Sequence, residues 1–309
     1  MNTFKIGTSG LDIRLSVLCG QVFRWRELSD GRLIGVDGDH WWLVELGSDE
    51  ATVTGSGELA DFRRLFRMDE DWVGYESTVR EKTPELAPFL DALPGLRLLH
   101  PSSVVEETFS FLCTSNNHLS RIRKMVDRLS EYGEPMAEVE GLALQRFPSV
   151  EQIAAISETE LREHKFGYRA STIPEAARQI IERGGRGWLE GLRSPAKYED
   201  ARMALMELSG VGPKLADCIC LFALGHTEAV PVDTHVWQAG CRLWYPHLVG
   251  TSLSERRSSL IVDSLHSRLG PLSGWAHQFL FYENLLNWRT RPKDQTKQHK
   301  GPNAYALEP

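Results

Sequence analysis

The stretch Leu208-Ser209-Gly210-Val211-Gly212-Pro213-Lys214 decides the fold of this chain, because it separates two apolar helical patterns. The apolar face before it consists of Ala201, Ala204, Leu205 and Leu208, and the face after it of Leu215, Ile219 and Phe222. Two glycines let the backbones approach closely, and proline suits the first turn of a helix. Residues 198–224 are therefore predicted to form two helices joined by a tight turn.

The same turn predicts a local contact with a phosphate. A glycine-flanked turn that opens onto a helix start offers several free backbone N–H groups, which can hold an anion. The chain has a formal net charge of -7 and a pI of about 5.8, which argues against binding nucleic acid through bulk positive charge. Gly210 and Gly212 are the candidate residues for such a phosphate contact.

Lys214 and Asp233 are the candidate chemical groups. Lys214 lies in the first helical turn, where the positive end of the helix dipole lowers the pKa of an amine and so favours the nucleophilic form. Cys218 follows one turn later on the same face. Each residue also has a structural interpretation, since Lys214 could be an exposed helix lysine and Asp233 the N-cap of the next helix.

The N-terminal part of the sequence has the pattern of an antiparallel sheet. The β-rich runs are residues 22–26, 32–36 and 41–46, with a further strand at 51–54. Asp30-Gly31 and Asp37-Gly38 are hairpin signals between them. Residues 58–90 change to a charged, helix-forming composition, which predicts helices that cover one face of the sheet.

From Leu98 onward the periodicity is helical. The first stripe, Val105, Phe109 and Leu112, ends at the polar break Thr114-Ser115-Asn116-Asn117, and the next helix carries a stripe of Leu119, Ile122, Val126 and Leu129. We therefore predict an α+β protein with an antiparallel β domain at 1–95, a helical domain at 96–287 and a flexible basic tail at 288–309. The helical domain contains the hairpin at 198–224.

Composition and cysteine usage indicate a soluble, intracellular protein. The five cysteines include no CxxC pair, and no apolar segment has the length of a signal peptide core or a membrane span. We therefore expect a reducing compartment and no membrane contact.

Several motifs resemble those of helix-hairpin-helix DNA glycosylases. The hairpin segment 208–214, followed by Val230-Pro231-Val232-Asp233-Thr234-His235, resembles their active-site signature. Resemblance to the 8-oxoguanine glycosylase/lyase branch is carried by Gly20-Gln21-Val22-Phe23-Arg24-Trp25, Phe111-Leu112-Cys113-Thr114-Ser115-Asn116-Asn117, Phe166-Gly167-Tyr168-Arg169-Ala170 and Lys214-Leu215-Ala216-Asp217-Cys218-Ile219-Cys220. The likeness covers nearly the whole chain except its tail.

The resemblance implies an N-terminal domain similar to half of a TATA-binding protein, two helical subdomains and an active site in the cleft between them. It implies a monomer that binds double-stranded DNA containing oxidised guanine and works close to DNA in the nucleoid or nucleus. No cofactor is implied for catalysis, although hairpin carbonyls, including that of Val211, would bind a monovalent cation. Since no cysteine follows Cys241, we expect no iron–sulfur cluster.

The resemblance also assigns the residues that act on the base. Lys214 is the nucleophile at C1′ of the sugar, and Asp233 is the carboxylate that stabilises the transition state. The Gly20 carbonyl, with Cys218, His277 and Phe281, binds the extruded base. His277 stands where the family has a glutamine that reads the guanine edge, and Asn284 where it has an aspartate.

Other residues are implied to hold the distorted duplex. Asn116 fills the gap left by the extruded base, Tyr168 wedges the stack, and Arg121 and Arg169 bind the orphaned partner base. His235, with Gly210 and Gly212, contacts phosphate. Together these groups replace pairing and stacking lost on base flipping, which costs a few kcal/mol.

Two alternatives remain open from the sequence. A glycosylase for alkylated bases shares the hairpin and the aspartate but uses an activated water, so Lys214 separates the two hypotheses. A non-catalytic hairpin module that binds DNA would need neither the lysine nor the carboxylate.

Overall fold

The computed structural model of the protein describes residues 1–290. The last helix extends to Thr290, and residues 291–309, which include most of the predicted basic tail, lie outside the described residues.

The N-terminal sheet is antiparallel and has five strands in the order β1-β5-β4-β3-β2. The strands are β1 (Asn2–Gly7), β2 (Arg26–Glu27), β3 (Leu33–Asp37), β4 (His40–Leu46) and β5 (Glu50–Gly55). Three of the four predicted strands are therefore confirmed within one residue or so at their ends. The edge strand β1 was not predicted, although Phe4 and Ile6 alternate with polar residues.

The rest of the described chain is mainly helical. The helices are α1 (Ile13–Leu18), α2 (Leu59–Leu65), α3 (Trp72–Lys82), α4 (Ala87–Ala92), α5 (Val104–Leu112), α6 (Leu119–Ser130), α7 (Val150–Ala155), α8 (Glu158–Glu163), α9 (Arg169–Glu182), α10 (Arg186–Gly191), α11 (Tyr198–Met206), α12 (Pro213–Phe222), α13 (Thr234–Trp244), α14 (Glu255–Leu269) and α15 (Ser273–Thr290), with short 3-10 turns at Pro84–Leu86, Pro246–Leu248 and Gly270–Leu272. Among the described residues, none of these helices combines the length and apolar character needed to cross a lipid bilayer.

The predicted α+β class is confirmed. The likeness to half of a TATA-binding protein and the exact domain bounds remain predictions.

Aromatic packing holds α2 against the sheet. Trp42 on β4 meets Phe62 edge-on at a centroid distance of 5.3 Å, and Phe66 lies 6.2 Å from Trp25. Trp25 packs flat on Gly35 of β3, where a Cβ would lie 2.1 Å from its ring. Only glycine permits this approach, so the core of the β domain depends on a residue without a side chain.

The predicted strand at 22–26 is wrong, because only Arg26 and Glu27 pair with β3. Phe23 packs in the helical core, edge-on to Phe111 at 5.6 Å, whereas Trp25 packs in the core of the sheet. Two residues that are two positions apart face the same side of a regular strand. The segment is irregular because Phe23 packs into the helical core and Trp25 packs into the core of the sheet.

A short hairpin interrupts the helical part of the chain and was not predicted. Strands β6 (Pro135–Val139) and β7 (Leu142–Gln145) are joined by Glu140-Gly141, and both turn residues have positive φ. Leu144 packs with Ile34 of the N-terminal sheet. The hairpin therefore extends the contact between the helical part and the β domain.

The predicted pair of helices at 198–224 is confirmed as α11 and α12. Gly210 has φ +81°, which suits a residue without a Cβ, and the Val211 N–H donates to the Leu208 carbonyl at 3.0 Å. Asp217 on α12 accepts hydrogen bonds from Tyr198 at 2.7 Å and Arg202 at 2.6 Å, both on α11. These bonds fix the angle at which the turn presents the start of α12.

Candidate active site

One pocket collects six of the fourteen predicted site residues at the junction of the N-terminal segment and the helices α5, α6, α12 and α15. Its walls are formed by Gly20, Phe23, Phe111, Thr114, Leu119, Ile122, Lys214, Cys218, Phe222, Pro231, Asp233, His277, Gln278 and Phe281. Both candidate chemical groups thus face the same space as four predicted base-binding residues: Gly20, Cys218, His277 and Phe281. The walls are mainly apolar, which suits a flat aromatic ligand.

Lys214 reaches the pocket because it lies in the first turn of α12, directly after Pro213. Its side chain is half-buried and hydrogen-bonds the thiol of Cys218, one turn further on. Burial raises the pKa of Cys218 to about 11, although the nearby Lys214 lowers it. The thiol therefore stays protonated at neutral pH and adds no negative charge beside the amine.

Asp233 lines the same pocket as Lys214 and also caps α13. Its Oδ1 accepts hydrogen bonds from the backbone N–H groups of His235 and Val236, both at 2.9 Å. The predicted N-cap is therefore confirmed, and it coexists with a place in the pocket wall. Two backbone donors hold the carboxylate rigidly, which is what electrostatic stabilisation of a developing cation requires.

His277 and Phe281 form an aromatic wall on α15. Their rings are nearly parallel, at 12° and a centroid distance of 6.3 Å. His277 Nε2 lies 2.8 Å from the Pro231 carbonyl, which can only accept, so Nε2 carries the hydrogen. Burial lowers the pKa of His277 to about 4. The ring is therefore neutral, and Nδ1 is a buried acceptor without a hydrogen-bond partner among the side chains that the structure describes, those of residues 1–287.

Gly20 faces the pocket in a conformation that favours glycine, with φ +99°. A Cβ at this position would lie 3.1 Å from Leu119, another residue of the pocket wall. A larger residue would therefore strain the backbone and force Leu119 to shift.

The residues predicted to hold the distorted duplex cluster around the loop that follows α5. Asn116 is exposed at its tip with φ +48°, and Tyr168 is 51% exposed and donates to the Ser115 carbonyl at 3.1 Å. Arg169 is buried, donates to the same carbonyl and lies 4.6 Å over the Tyr168 ring. Arg121 donates to the Lys165 carbonyl at 3.0 Å. Of these four predicted DNA contacts, Asn116, Arg121 and Tyr168 are thus exposed, and Arg169 is buried beneath Tyr168.

His235 is buried at the start of α13, whereas Gly210 and Gly212 lie in the turn between α11 and α12. Asn284 donates to the His235 carbonyl at 3.0 Å and accepts from Arg242 at 3.0 Å. The asparagine that departs from the family pattern therefore ties α15 to α13. The phosphate contacts of these residues remain predictions.

The described residues contain no cluster of three or more His, Cys, Asp and Glu side chains that could hold a metal ion. All five cysteines are buried and unpaired with one another. The expected absence of an iron–sulfur cluster remains a prediction.

Comparison with known proteins assigns the chain to a family. Residues 109–258 match the model of the HhH-GPD superfamily of base excision DNA repair proteins. N-glycosylase/DNA lyase OGG1 of Arabidopsis thaliana is 35% identical over 302 residues, which cover 93% of this chain and 80% of the plant protein. The chain belongs to the N-glycosylase/DNA lyase family.

Solved structures of relatives in this family have the same fold. A structure of MBOgg1 with a low-affinity DNA ligand has 25% identity and a TM-score of 0.82, with 93% of this chain and 97% of that chain covered. The 8-oxoguanine glycosylase/lyase of Clostridium acetobutylicum, in complex with double-stranded DNA containing cytosine opposite 8-oxoguanine, has 25% identity and a TM-score of 0.79, with 90% and 93% covered. The resemblance to the 8-oxoguanine glycosylase/lyase branch is thereby confirmed.

Sequence reasoning missed several pocket residues of this N-glycosylase/DNA lyase. Pro231 orients His277, Gln278 follows His277 on α15, and Thr114 lies in the wall beside the Asn116 loop. The pattern of α15 could not identify Gln278, because a polar residue on a C-terminal helix is by default solvent-exposed. Its burial depends on contacts with the N-terminal segment.

Proposed function

We propose that the protein flips 8-oxoguanine out of duplex DNA, excises it and then cleaves the strand through a Lys214 Schiff base. The observation that carries the proposal is the meeting of Lys214 and Asp233 in one pocket with the aromatic wall of His277 and Phe281. An amine nucleophile, a fixed carboxylate and a surface on which a base can stack are the components that this reaction needs.

The chemistry begins with the neutral amine of Lys214, which attacks C1′ as the bond from C1′ to the base breaks. The electron pair of that bond leaves with the base, and positive charge develops on the sugar. Asp233, fixed by two backbone N–H groups, stabilises this charge. A water-activating glycosylase for alkylated bases would not need the amine at this position.

Strand cleavage follows from the same lysine. One proton of the Lys214 nitrogen passes to O4′ as the sugar ring opens, which gives a protonated imine between Lys214 and C1′, and this imine acidifies the hydrogen on C2′. Loss of that proton expels the 3′ phosphate by β-elimination, and water then hydrolyses the imine and frees the enzyme. Solvent water takes the C2′ proton, and the expelled base anion is protonated from solvent.

Base recognition would depend on two acceptors, the Gly20 carbonyl and the buried Nδ1 of His277. The Gly20 carbonyl would accept from N7–H, a hydrogen that 8-oxoguanine has and guanine lacks. His277 Nδ1 would accept from the N1–H or N2 amino edge of guanine, which the neutral, Nε2-protonated ring can do. A buried acceptor left unpaired costs about 1–3 kcal/mol, so each missing donor penalises the wrong base.

The proposal is tested with a cleavage panel of 8-oxoguanine, guanine and 8-oxoadenine, each opposite cytosine. We expect efficient cutting of 8-oxoguanine and a single-turnover rate at least about 100-fold lower for guanine, since guanine presents a lone pair to the Gly20 carbonyl. 8-Oxoadenine keeps the N7 hydrogen but lacks N1–H, so its rate should lie between the two. Efficient cutting of unmodified guanine would refute the recognition of N7–H.

We also expect a preference for cytosine opposite the lesion. Arg121 and Arg169 carry only donors, and cytosine presents the adjacent acceptors N3 and O2, whereas adenine presents an N6 donor. On binding, each guanidinium would exchange a backbone carbonyl for a base acceptor. We expect 8-oxoguanine to be excised about 10-fold faster opposite cytosine than opposite adenine, from roughly one charge-assisted hydrogen bond.

The role of Arg121 in that preference is tested by Arg121→Ala, which should reduce the ratio of the two rates towards one. Arg128→Ala is the matched control, because Arg128 lies on the same helix but pairs with Glu131 away from the loop. Equal excision opposite cytosine and adenine by the unmodified protein would contradict the assignment of both arginines.

The turn between α11 and α12 would also bind a monovalent cation. Backbone carbonyls such as that of Val211 are hard oxygen ligands, which suit a monovalent cation. The neighbouring carbonyls of Leu208 and Gly212 already accept hydrogen bonds from the N–H groups of Val211 and Leu215. The cation would reinforce the turn that holds the phosphate. We infer that the protein acts on DNA inside the cell as a monomer.

A further inference from the structure

A buried thiol connects Gly20 to helix α15. Cys19 Sγ lies 3.2 Å from Nε2 of Gln278 and 3.3 Å from Nε2 of Gln21. It also lies 3.3 Å from the Ser16 carbonyl. All three side chains, of Cys19, Gln21 and Gln278, are at most 1% exposed, so this cluster is closed to solvent.

The direction of each hydrogen bond follows from the chemistry of the groups. Burial raises the pKa of Cys19 to about 11, so at neutral pH the sulfur carries one hydrogen. The Ser16 carbonyl can only accept and takes that hydrogen. Both glutamine amides therefore donate to the sulfur lone pairs, and the orientation of the Gln278 side chain is fixed.

The other flank of Gly20 is anchored to a further segment of the chain. Gln21 donates to the Arg97 carbonyl at 2.7 Å and accepts from the Leu99 N–H at 2.9 Å. Gly20 thus lies between two buried side chains, of which one is tied to residues 97–99 and the other to α15. Because glycine has no side chain of its own, these neighbours determine where its peptide group lies.

We propose that Gln278 is a positioning residue for base recognition, which acts through the Cys19 thiol to hold the Gly20 carbonyl at a set distance from the α15 wall. His277 precedes Gln278 on α15 and forms that wall. Helix α15 would therefore fix the positions of both acceptors, His277 Nδ1 and the Gly20 carbonyl. The inference rests on the proposed recognition of the base by Gly20. A misplaced carbonyl would slow base excision, whereas a preformed abasic site has no base to read and would still react with Lys214.

The test compares two substrates on Gln278→Leu, which removes the amide and keeps a similar size. Single-turnover excision of 8-oxoguanine opposite cytosine should fall about 3- to 10-fold, the usual effect of one lost hydrogen bond, while cleavage at a preformed abasic site changes by less than about twofold. Gln152→Leu is the matched control, since it removes a capping-box hydrogen bond of α7 away from the pocket. This control should lower thermal stability and leave the ratio of the two rates unchanged.

Substitutions of Cys19 provide an independent test of the proposal. Cys19→Ala removes the acceptor and should lower the ratio of excision to abasic-site cleavage as Gln278→Leu does. Cys19→Ser keeps a group that accepts and donates, and should restore most of that ratio. If the two residues act as one unit, the double variant Cys19→Ala/Gln278→Leu should show no further loss than the more affected single variant.

Either of two results overturns the proposal: an unchanged ratio in Gln278→Leu, or an equal fall on both substrates. If Gln278→Leu does not fold, equal ratios in Cys19→Ala and Cys19→Ser overturn it. Failure of the proposed function is seen separately, because the unmodified protein would then leave the 8-oxoguanine duplex intact.

Discussion

Lys214→Gln is expected to lose both base excision and strand cleavage while it still binds lesion-containing DNA. Glutamine preserves most of the side-chain length and the helix propensity at the start of α12, but it has no amine that could attack C1′. We expect a fall in the single-turnover rate on the order of 10⁴-fold or more, since the covalent route is removed altogether. A gel-based excision assay, with alkaline cleavage to reveal abasic sites, measures both activities.

Lys197→Gln is the matched control for Lys214→Gln. Lys197 is exposed at the start of α11 in the same helical hairpin, so its substitution makes the same change of charge and composition outside the pocket. It should retain full activity. Normal excision by Lys214→Gln would show that the lysine is not the nucleophile, and would favour the water-activating mechanism.

Asp233→Asn is expected to have the second largest effect. Asparagine caps helices about as well as aspartate, so the bonds to His235 and Val236 and the stability of α13 should be kept. The negative charge is lost, and with it the stabilisation of the developing sugar cation. By analogy with removal of one pre-positioned electrostatic group, we expect the excision rate to fall about 10²- to 10³-fold with little change in melting temperature.

Asp71→Asn is the matched control for Asp233→Asn, because it makes the same substitution at a helix cap outside the pocket. Asp71 caps α3 through the Gly74 N–H at 2.9 Å and lies outside the pocket wall. Its variant should retain both stability and activity. An Asp233→Asn variant as active as the unmodified protein would restrict Asp233 to a capping role.

The sequence allowed the helical part of the fold to be predicted because its signals are local. The stripes of α5 and α6, and the turn at Gly210, follow from side-chain spacing and backbone freedom alone. The irregular segment at 22–25 could not be predicted, because it is set by the two separate cores that Phe23 and Trp25 join. The β6-β7 hairpin was missed for a similar reason, since its turn, Glu140-Gly141, lacks the usual Asn-Gly signal and Leu144 is stabilised by a distant sheet.

The candidate site likewise contains some residues that local sequence patterns predict and others that depend on long-range contacts. Lys214 and Asp233 lie next to a turn and a cap with recognisable sequence patterns, and the structure brings them together. The orientation of Gln278 depends on a contact with Cys19, and the protonation state of His277 depends on a contact with Pro231. Both partners are far away in sequence. Such contacts decide burial, hydrogen-bond direction and the pKa of His277, and periodicity alone contains no signal for them.

The most direct test of the central claim is borohydride trapping on duplexes that each carry a single lesion. Reduction of the imine between Lys214 and C1′ would leave a stable covalent adduct of protein and DNA. We predict an adduct that forms with 8-oxoguanine opposite cytosine, in step with base release, and that is absent with unmodified guanine and in Lys214→Gln. Release of 8-oxoguanine at full rate without any trapped adduct would contradict the account.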